Sequence, residues 1–207
     1  MKTQGIKKIT PKLHHIGLTT GRFEEMVEWY KNVLEMEPVH YSENPAGDIG
    51  VEVKGVWVTN DEANHRIAIM GIPGLVNDEN RSKHSRLQHM AFEYDTLDDL
   101  LDTYVRLKKI GIKPHFTVDQ GVSIAFYYDD PDGNTLELTM DTFGDWNKST
   151  EYMKNSSIFA KKPMGKYVDV EKLLEAREQG ISSNEIHERA YAGEYEPDTP
   201  MDPTKML

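Results

Sequence analysis

The sequence predicts an α+β protein in which two modules of the pattern βαβββ pair to form a mixed, curled sheet around a metal cleft. Three observations predict it. A histidine occurs twice within an apolar alternating run, an amphipathic helical pattern follows each copy, and strand-like runs follow each helix. Because a module of this size cannot cover both faces of its sheet, two modules should pack together.

The two histidine runs begin the modules. Residues 13–19 read LHHIGLT and residues 87–93 read LQHMAFE, so His15 and His89 occupy equivalent positions. The alternation of apolar with other residues predicts a strand in each run. Since neighbouring side chains on a strand point to opposite faces, we expect His14 to point away from His15.

A helical pattern follows each run, at residues 22–35 and 96–110. Thr96 is placed to cap the second helix, and Gly111 to end it. The apolar stripes with helical spacing comprise Phe23, Met26, Val27, Tyr30, Val33 and Leu34 in the first helix and Leu97, Leu100, Leu101, Tyr104 and Leu107 in the second.

Strand-like runs complete each module. They cover residues 38–41, 49–58 and 65–70 in the first module and 113–118, 123–128 and 135–140 in the second. This divides residues 1–142 into module 1 (about 12–72), a polar linker (about 75–86) and module 2 (about 87–142).

A partly helical extension, residues 143–207, follows the modules. Residues 170–177 and 183–191 have the pattern of two short amphipathic helices. From Glu194 onward, prolines and aspartates predict a mobile tail.

Composition limits the function classes. The net charge of −11 over 207 residues disfavours nucleic acid and anionic membranes as partners. The sequence has no apolar run long enough to span a bilayer, and residues 1–8 carry no apolar leader core. It also has no cysteine, which excludes disulfides and thiolate chemistry. We therefore expect a cytoplasmic protein.

A carboxylate completes a candidate ligand set. Glu137 lies in the apolar run 134–140, directly after the turn sequence DPDG at 130–133. Burying a carboxylate on an apolar strand is costly unless it has a partner. With His15 and His89 it supplies the two imidazoles and one carboxylate of a facial-triad iron site, although Mn(II) and Zn(II) accept the same ligands.

These features resemble the vicinal oxygen chelate superfamily over residues 12–142. The resemblance rests on the paired histidine runs, the helix end WYKNVLEM at 29–36 and the turn YYDDPDGN at 127–134. The second module resembles single-domain type I extradiol catechol dioxygenases of the biphenyl-2,3-diol 1,2-dioxygenase type. The features that separate this type from glyoxalases are NHRIA at 64–68, AFEY at 91–94 and FYY at 126–128, and DTFGDW at 141–146 is similar to the C-terminal extension of that group.

The resemblance implies a role for five residues. His15, His89 and Glu137 match the metal ligands of the family, and Fe(II) is the implied cofactor, with Mn(II) or Zn(II) as alternatives. His65 matches the catalytic histidine that lies near oxygen in such dioxygenases. Tyr127 matches the tyrosine that hydrogen-bonds the substrate.

One position departs from this group. Where a histidine commonly precedes the glycine equivalent to Gly121, this chain has Gln120. A glutamine can donate a hydrogen bond to a substrate, but it cannot shuttle a proton near neutral pH. His115 is the nearest histidine in sequence that could substitute.

Three hypotheses of function follow. The leading one is an Fe(II)-dependent extradiol dioxygenase that acts on a catechol-type ortho-diol and dioxygen. The alternative is a redox-neutral, glyoxalase-like lyase, isomerase or epimerase, which the glutamine at position 120 favours. The third is a metal-free binding protein of the resistance type. For all three, the resemblance implies a homodimer or larger homo-oligomer.

Overall fold

The computed structural model describes residues 9–44, 47, 50–202 and 204. These residues belong to two compact units, the first ending at Val76 and the second beginning at Asn77. Residues 1–8, where no leader is predicted, lie outside the described residues. So do Ile49, at the start of a predicted strand, and residues 203 and 205–207 of the tail.

The first unit has the predicted order βαβββ. Its elements are β1 (Ile16–Thr20), α1 (Phe23–Leu34), β2 (Glu37–Glu43), β3 (Lys54–Thr59) and β4 (Ile67–Gly71). The sheet order is β1-β4-β3-β2, with β1 parallel to β4 and the other pairs antiparallel. Phe23, Met26, Tyr30 and Val33 are buried along one face of α1, which confirms the predicted amphipathic helix.

The second unit repeats this pattern. Its elements are β5 (Met90–Tyr94), α2 (Leu97–Lys109), β6 (Phe116–Asp119), β7 (Ser123–Asp129) and β8 (Thr135–Asp141), in the sheet order β5-β8-β7-β6. Thr96 caps α2 as predicted, since its hydroxyl accepts a hydrogen bond from the backbone N–H of Asp99. The predicted α+β class with two βαβββ modules is confirmed, and each module forms a sheet of its own. The pairing of the two modules around a metal cleft stays a prediction.

The first strand of each unit begins three residues later than predicted, at Ile16 rather than 13 and at Met90 rather than 87. Leu13 and Leu87, which begin the apolar alternation in the sequence, are 79% and 62% exposed. Since neither lies on a buried sheet face, the alternation there does not mark a strand. His15 and His89 consequently sit immediately before their strands.

The C-terminal extension belongs to the second unit. It contains α3 (Trp146–Asn155), α4 (Ser157–Lys161), β9 (Lys166–Tyr167), α5 (Val170–Glu178) and α6 (Ser183–Ala192). The two predicted short helices are confirmed as α5 and α6. β9 pairs antiparallel with β6 and widens the second sheet to five strands. It was not predicted, because a strand of two residues is too short to show an alternating pattern.

Apolar burial holds the extension to its unit. Val168, Leu173, Ile186 and Ala190 are at most 1% exposed. Burying a side chain the size of leucine contributes about 1.5–3 kcal/mol, whereas an exposed ion pair contributes about 0–1 kcal/mol. The apolar contacts therefore dominate the docking.

The start of the tail makes polar contacts within the same unit. The carbonyl of Tyr195 accepts a hydrogen bond from the backbone N–H of Asp169 at 2.7 Å, and Lys172 Nζ lies 2.7 Å from the Asp198 carboxylate. The mobility of the tail stays a prediction. Among the described residues, no helix combines the length and apolar character needed to cross a bilayer.

Glu171 on α5 gives a pH-dependent contact with α2. Its carboxylate accepts hydrogen bonds from Lys108 and Tyr104, and these bonds lower the pKa of Glu171. A lowered carboxyl pKa stabilises the fold above the ordinary value of 4.5, and this contribution is lost as the pH falls through the lowered value. We expect Glu171→Gln to cost about 0.5–1 kcal/mol at pH 7.

Urea unfolding followed by circular dichroism at pH 7 and at about pH 3 measures this contribution. The difference between wild type and Glu171→Gln should shrink at the lower pH. Glu178→Gln, an exposed position at the end of the same helix, is the matched control and should be neutral. An equal loss of stability at both pH values would contradict the assignment.

Candidate metal centre

Three histidines converge in the first unit. The ring centroid of His65 lies 4.4 Å from that of His15 and 5.2 Å from that of His14. One nitrogen from each ring can be chosen so that all three lie within 4.8 Å of one another. His14 and His15 are exposed and His65 is partly buried, so a solute can reach the group.

The predicted orientation of His14 is wrong. Nδ1 of His14 lies 2.8 Å from Nδ1 of His15, so the two rings share one side of the chain. The prediction relied on strand alternation, but both residues precede β1, where the sheet does not fix the direction of successive side chains.

Arg66 anchors the backbone around this group. Its guanidinium donates to the carbonyl of His14 at 3.1 Å and pairs with both carboxylate oxygens of Asp61. Its own carbonyl accepts from Ile16 N–H at 3.0 Å. The pairing with Arg66 lowers the pKa of Asp61 to about 2, so the pair stays charged across the neutral range. The chain segments that carry the three histidines are therefore tied together.

His65 has a lowered pKa. Burial is the main cause, followed by electrostatic repulsion from His15 and His14. At neutral pH its ring is therefore uncharged and can accept a proton or bind a metal ion.

In the second unit, His89 and Glu137 are in contact. His89 Nε2 lies 2.8 Å from Glu137 Oε2. The parallel pairing of β5 with β8 sets Ala91 opposite Glu137, which places the residue just before β5 beside the carboxylate. Glu137 is only 7% exposed and so requires partners for its charge.

The other ring nitrogen of His89 determines what faces this carboxylate. Nδ1 lies within hydrogen-bonding distance of the side-chain oxygen of Gln88, and a proton on Nδ1 would satisfy both groups. With that tautomer, Nε2 of a neutral ring would direct its lone pair at Glu137, 2.8 Å away. A cation between the two atoms, either a second proton or a metal ion, removes that repulsion. Histidine ligands of metals are commonly oriented by such a hydrogen bond at the opposite nitrogen.

Tyr127 lies against the same carboxylate. It pairs with Glu137 across β7 and β8, and its ring packs edge-on to that of His89 at 5.7 Å. Burial, and then the charge of Glu137, raises its pKa well above the ordinary value. The phenol therefore stays protonated and donates a hydrogen bond to the Glu137 carboxylate.

Gln120 extends this polar group. Its side-chain oxygen accepts from Ser123 Oγ at 3.0 Å, which leaves its amide nitrogen to donate to Tyr127. His115, by contrast, lies beyond the other end of β6, with its Nε2 3.2 Å from Asp129 Oδ1.

The residues of the second unit fit a divalent metal. Two ligand atoms at right angles on an ion, each about 2.1 Å from it, are about 3 Å apart, close to the 2.8 Å between His89 Nε2 and Glu137 Oε2. A carboxylate has lone pairs enough to bind an ion while it accepts from Tyr127. Imidazole and carboxylate ligands suit Fe(II), Mn(II) and Zn(II) alike.

The predicted site residues thus fall into two sets. His15 and His65 meet in the first unit, and His89, Glu137, Tyr127 and Gln120 meet in the second. The convergence of His15 with His89 and Glu137 stays a prediction.

Sequence reasoning missed His14, whose only signal was its position beside His15. It also missed His187, whose Nδ1 lies 2.7 Å from the buried carboxylate of Asp119. The two residues of that pair are far apart in sequence, and no pattern linked them.

Comparisons with known proteins place these two residue sets in context. The family model described as Glyoxalase/Bleomycin resistance protein/Dioxygenase superfamily matches residues 12–138. Biphenyl-2,3-diol 1,2-dioxygenase 2 of Rhodococcus globerulus is 36% identical over 192 residues, which is 92% of this chain and 94% of that protein. Biphenyl-2,3-diol 1,2-dioxygenase 3 of the same organism is 36% identical over 184 residues, covering 89% and 91% of the two chains.

Solved structures share the fold. The glyoxylase/bleomycin resistance protein/dioxygenase domain from Frankia sp. EAN1pec superposes with a TM-score of 0.52 at 19% identity, covering 64% of this chain and 93% of that one. Glyoxalase I of Leishmania major superposes with a TM-score of 0.51 at 15% identity, covering 72% and 99%. At these identities the likeness concerns the fold alone.

Proposed function

Because the chain belongs to the glyoxalase/bleomycin resistance protein/dioxygenase superfamily, we propose that it is an Fe(II)-dependent extradiol dioxygenase that opens the ring of a catechol-type ortho-diol. The observation that carries this proposal is the 36% identity, over about nine tenths of the chain, to two biphenyl-2,3-diol 1,2-dioxygenases. The extradiol dioxygenase class follows from these relatives. The identity of the metal as iron, the residues of the site and the substrate are our proposals.

His15, His89 and Glu137 would hold the metal ion in this proposal. The contact of His89 Nε2 with Glu137 Oε2, with Gln88 beside His89 Nδ1, supports two of these three ligands. Bound Fe(II) would supply Lewis acidity toward two adjacent diol oxygens and a path for electrons to dioxygen. Mn(II) could serve in the same ligand set, whereas Zn(II) has no redox chemistry.

The remaining residues prepare the diol and manage protons. The protonated Tyr127 fixes the Glu137 carboxylate by its hydrogen bond, and Gln120 fixes the phenol. The phenol has only one proton to donate, so a hydrogen bond from Tyr127 to the diol would replace its bond to Glu137 when the substrate binds. His65, uncharged at neutral pH, can accept a proton during the reaction with oxygen and return it afterwards. Because the amide of Gln120 cannot accept and return a proton, we assign this proton transfer to His65.

The partners in this proposal are a small aromatic diol and dioxygen. The net charge of −11 makes a polyanionic partner unfavourable. We also propose a homodimer or larger homo-oligomer.

Oxygen consumption by iron-loaded protein tests the function. Protein purified without chelators and reconstituted with Fe(II) under argon should consume one dioxygen per 2,3-dihydroxybiphenyl and form a yellow ring-fission product. Glu137→Gln removes the charged ligand and should lower kcat/KM at least about 100-fold, with loss of tightly bound iron. Glu178→Gln should behave like the wild type.

Other outcomes distinguish the alternatives. Turnover of a metal-chelated substrate with Zn(II) under argon, without oxygen uptake, would identify a redox-neutral isomerase, lyase or epimerase. Absence of oxygen uptake with every diol at full iron occupancy would refute the proposed dioxygenase.

Tyr127→Phe tests the hydroxyl on the carboxylate. A hydrogen bond to a charged group contributes about 1.5–3 kcal/mol, so kcat/KM for the diol should fall about 10–100-fold while the iron content is kept. Tyr128→Phe is the matched control. Tyr128 is equally buried, yet among the described residues its hydroxyl has no hydrogen-bond partner, so its loss should leave kcat/KM unchanged. Equal effects of the two substitutions would contradict the role of Tyr127.

A further inference from the structure

His14 takes no part in the proposed dioxygenase chemistry, but it lies against two residues that do. Its Nδ1 is 2.8 Å from Nδ1 of His15, and its ring centroid is 5.2 Å from that of His65. Each of the three rings can offer a nitrogen within 4.8 Å of the others. This set contains no carboxylate, unlike the one that includes Glu137.

We propose that His14, His15 and His65 form a second metal site that takes borderline divalent ions such as Zn(II), Ni(II) or Cu(II). Neutral imidazole is a good ligand for these ions, and an all-imidazole set binds them without the oxygen ligands that harder cations prefer. Three protein ligands leave a fourth position for water, as in open zinc sites.

The geometry requires only small adjustments. Nitrogen ligands about 2.0–2.1 Å from a tetrahedral ion lie about 3.3–3.4 Å apart. The separations here span that value, from 2.8 Å between His14 and His15 to the 4.8 Å limit of the group, so rotations of exposed side chains close the set. The backbone needs no rearrangement, because Arg66 already ties the carbonyl of His14 and the N–H of Ile16 to the segment that carries His65.

The two sites would share His15. An ion held by the three imidazoles therefore withholds His15 from the ligand set proposed for Fe(II), and the two modes of binding compete. Zinc would then inhibit the iron-loaded enzyme by capturing a ligand. This consequence for activity rests on the proposed function, whereas the three-imidazole site does not.

Zinc binding in a background without Glu137 tests the site directly. Glu137→Gln should bind one Zn(II) per chain by isothermal titration calorimetry, because the three histidines are intact. Adding His14→Asn should weaken that binding at least about 10-fold. His40→Asn, an exposed histidine of the same unit, is the control in the same background and should change nothing. Circular dichroism verifies that each variant is folded.

The outcomes separate this site from the dioxygenase proposal. Equal zinc affinity with and without His14→Asn, or no zinc binding by Glu137→Gln, overturns the second site and leaves the dioxygenase untouched. In iron-loaded protein, His14→Asn alone should keep its oxygen uptake and require at least about 10-fold more zinc for half-inhibition. Unchanged inhibition would also overturn the shared ligand.

A different observation concerns the loop that carries Gln120. Asp119 is completely buried, and its carboxylate lies 2.7 Å from Nδ1 of His187 on α6 while accepting from Gly121 N–H at 2.8 Å. A buried carboxylate bound on both sides is a rigid link between two elements. Gln120 lies between Asp119 and Gly121 in the sequence, so this hydrogen bond restrains the backbone on both sides of it.

The surrounding contacts leave this loop little freedom. Gly121 has φ +84°, and a Cβ there would come within 2.9 Å of the ring of Tyr191 on α6. A Cβ on Gly165, just before β9, would meet the carbonyl of Asp119 at 1.8 Å. Thr142 Oγ1 also donates to the carbonyl of Gly121 at 2.8 Å. The C-terminal extension is therefore packed against the loop from two sides.

We infer that His187 is a positioning residue, which acts through Asp119 to hold Gln120 and hence Tyr127 in place. This inference rests on the proposed function. It gives the C-terminal extension a role in substrate binding besides its contribution to stability.

Comparing His187→Phe, which removes the hydrogen bond to Asp119, with His187→Asn, which keeps a donor, distinguishes a positioning role of His187 from a purely structural one. In His187→Phe, KM for the diol should rise about 10-fold with kcat per bound iron and KM for dioxygen unchanged. His187→Asn keeps a donor near the position of Nδ1 and should restore KM, while Glu188→Gln on the same helix is the control. A fall in kcat without a change in KM, or no change in either, overturns the inference when the wild type is active.

Discussion

The buried carboxylate of Glu137 is the constraint on which the second unit's site depends. A charge at this depth is tolerated only with a cation or donors beside it, and the structure supplies His89 and Tyr127. Tyr127 donates to the carboxylate, and Glu137 Oε2 lies 2.8 Å from His89 Nε2. A proton on Nε2 or a metal ion bound by both atoms would give Oε2 the partner that a buried charge requires.

The sheet register shows that the first unit has an apolar residue at the position equivalent to Glu137. In each unit the first strand pairs in parallel with the last, and a histidine stands just before the first strand. Ala91 faces Glu137 in the second unit, and the equivalent Gly17 faces Ala68 in the first. The first unit therefore repeats the histidine but not the acid. It carries two further imidazoles at the same place.

Much of this could be predicted from the sequence, because the signals are periodic or repeated. The helices α1 and α2, the cap at Thr96 and the order βαβββ along the chain all follow from apolar spacing and local hydrogen bonding. The pairing of Glu137 with His89 was also predictable, since a repeated histidine and an acid on an apolar strand both require an explanation. These signals lie within short stretches of chain.

Other features depend on contacts that have no local signature. The side on which His14 lies was mispredicted because strand alternation was extended past the true strand end, marked only by the exposure of Leu13. β9 is too short to show a period, and the pair of Asp119 with His187 joins β6 to α6 across a separation of 68 residues. Such partners become visible only when the chain is folded.

The charge of each ligand set determines which ion it favours. A site with Glu137 neutralises half the charge of a divalent ion and offers an oxygen, which harder ions prefer, whereas three imidazoles leave the full charge on the ion and rely on nitrogen donation. Exposure reinforces the difference: His14 and His15 are open to solvent, while Glu137 is buried and held by a protonated phenol. The buried set is thus the more rigid one, so its geometry can discriminate between ions, whereas the exposed set adapts to whichever borderline ion reaches it.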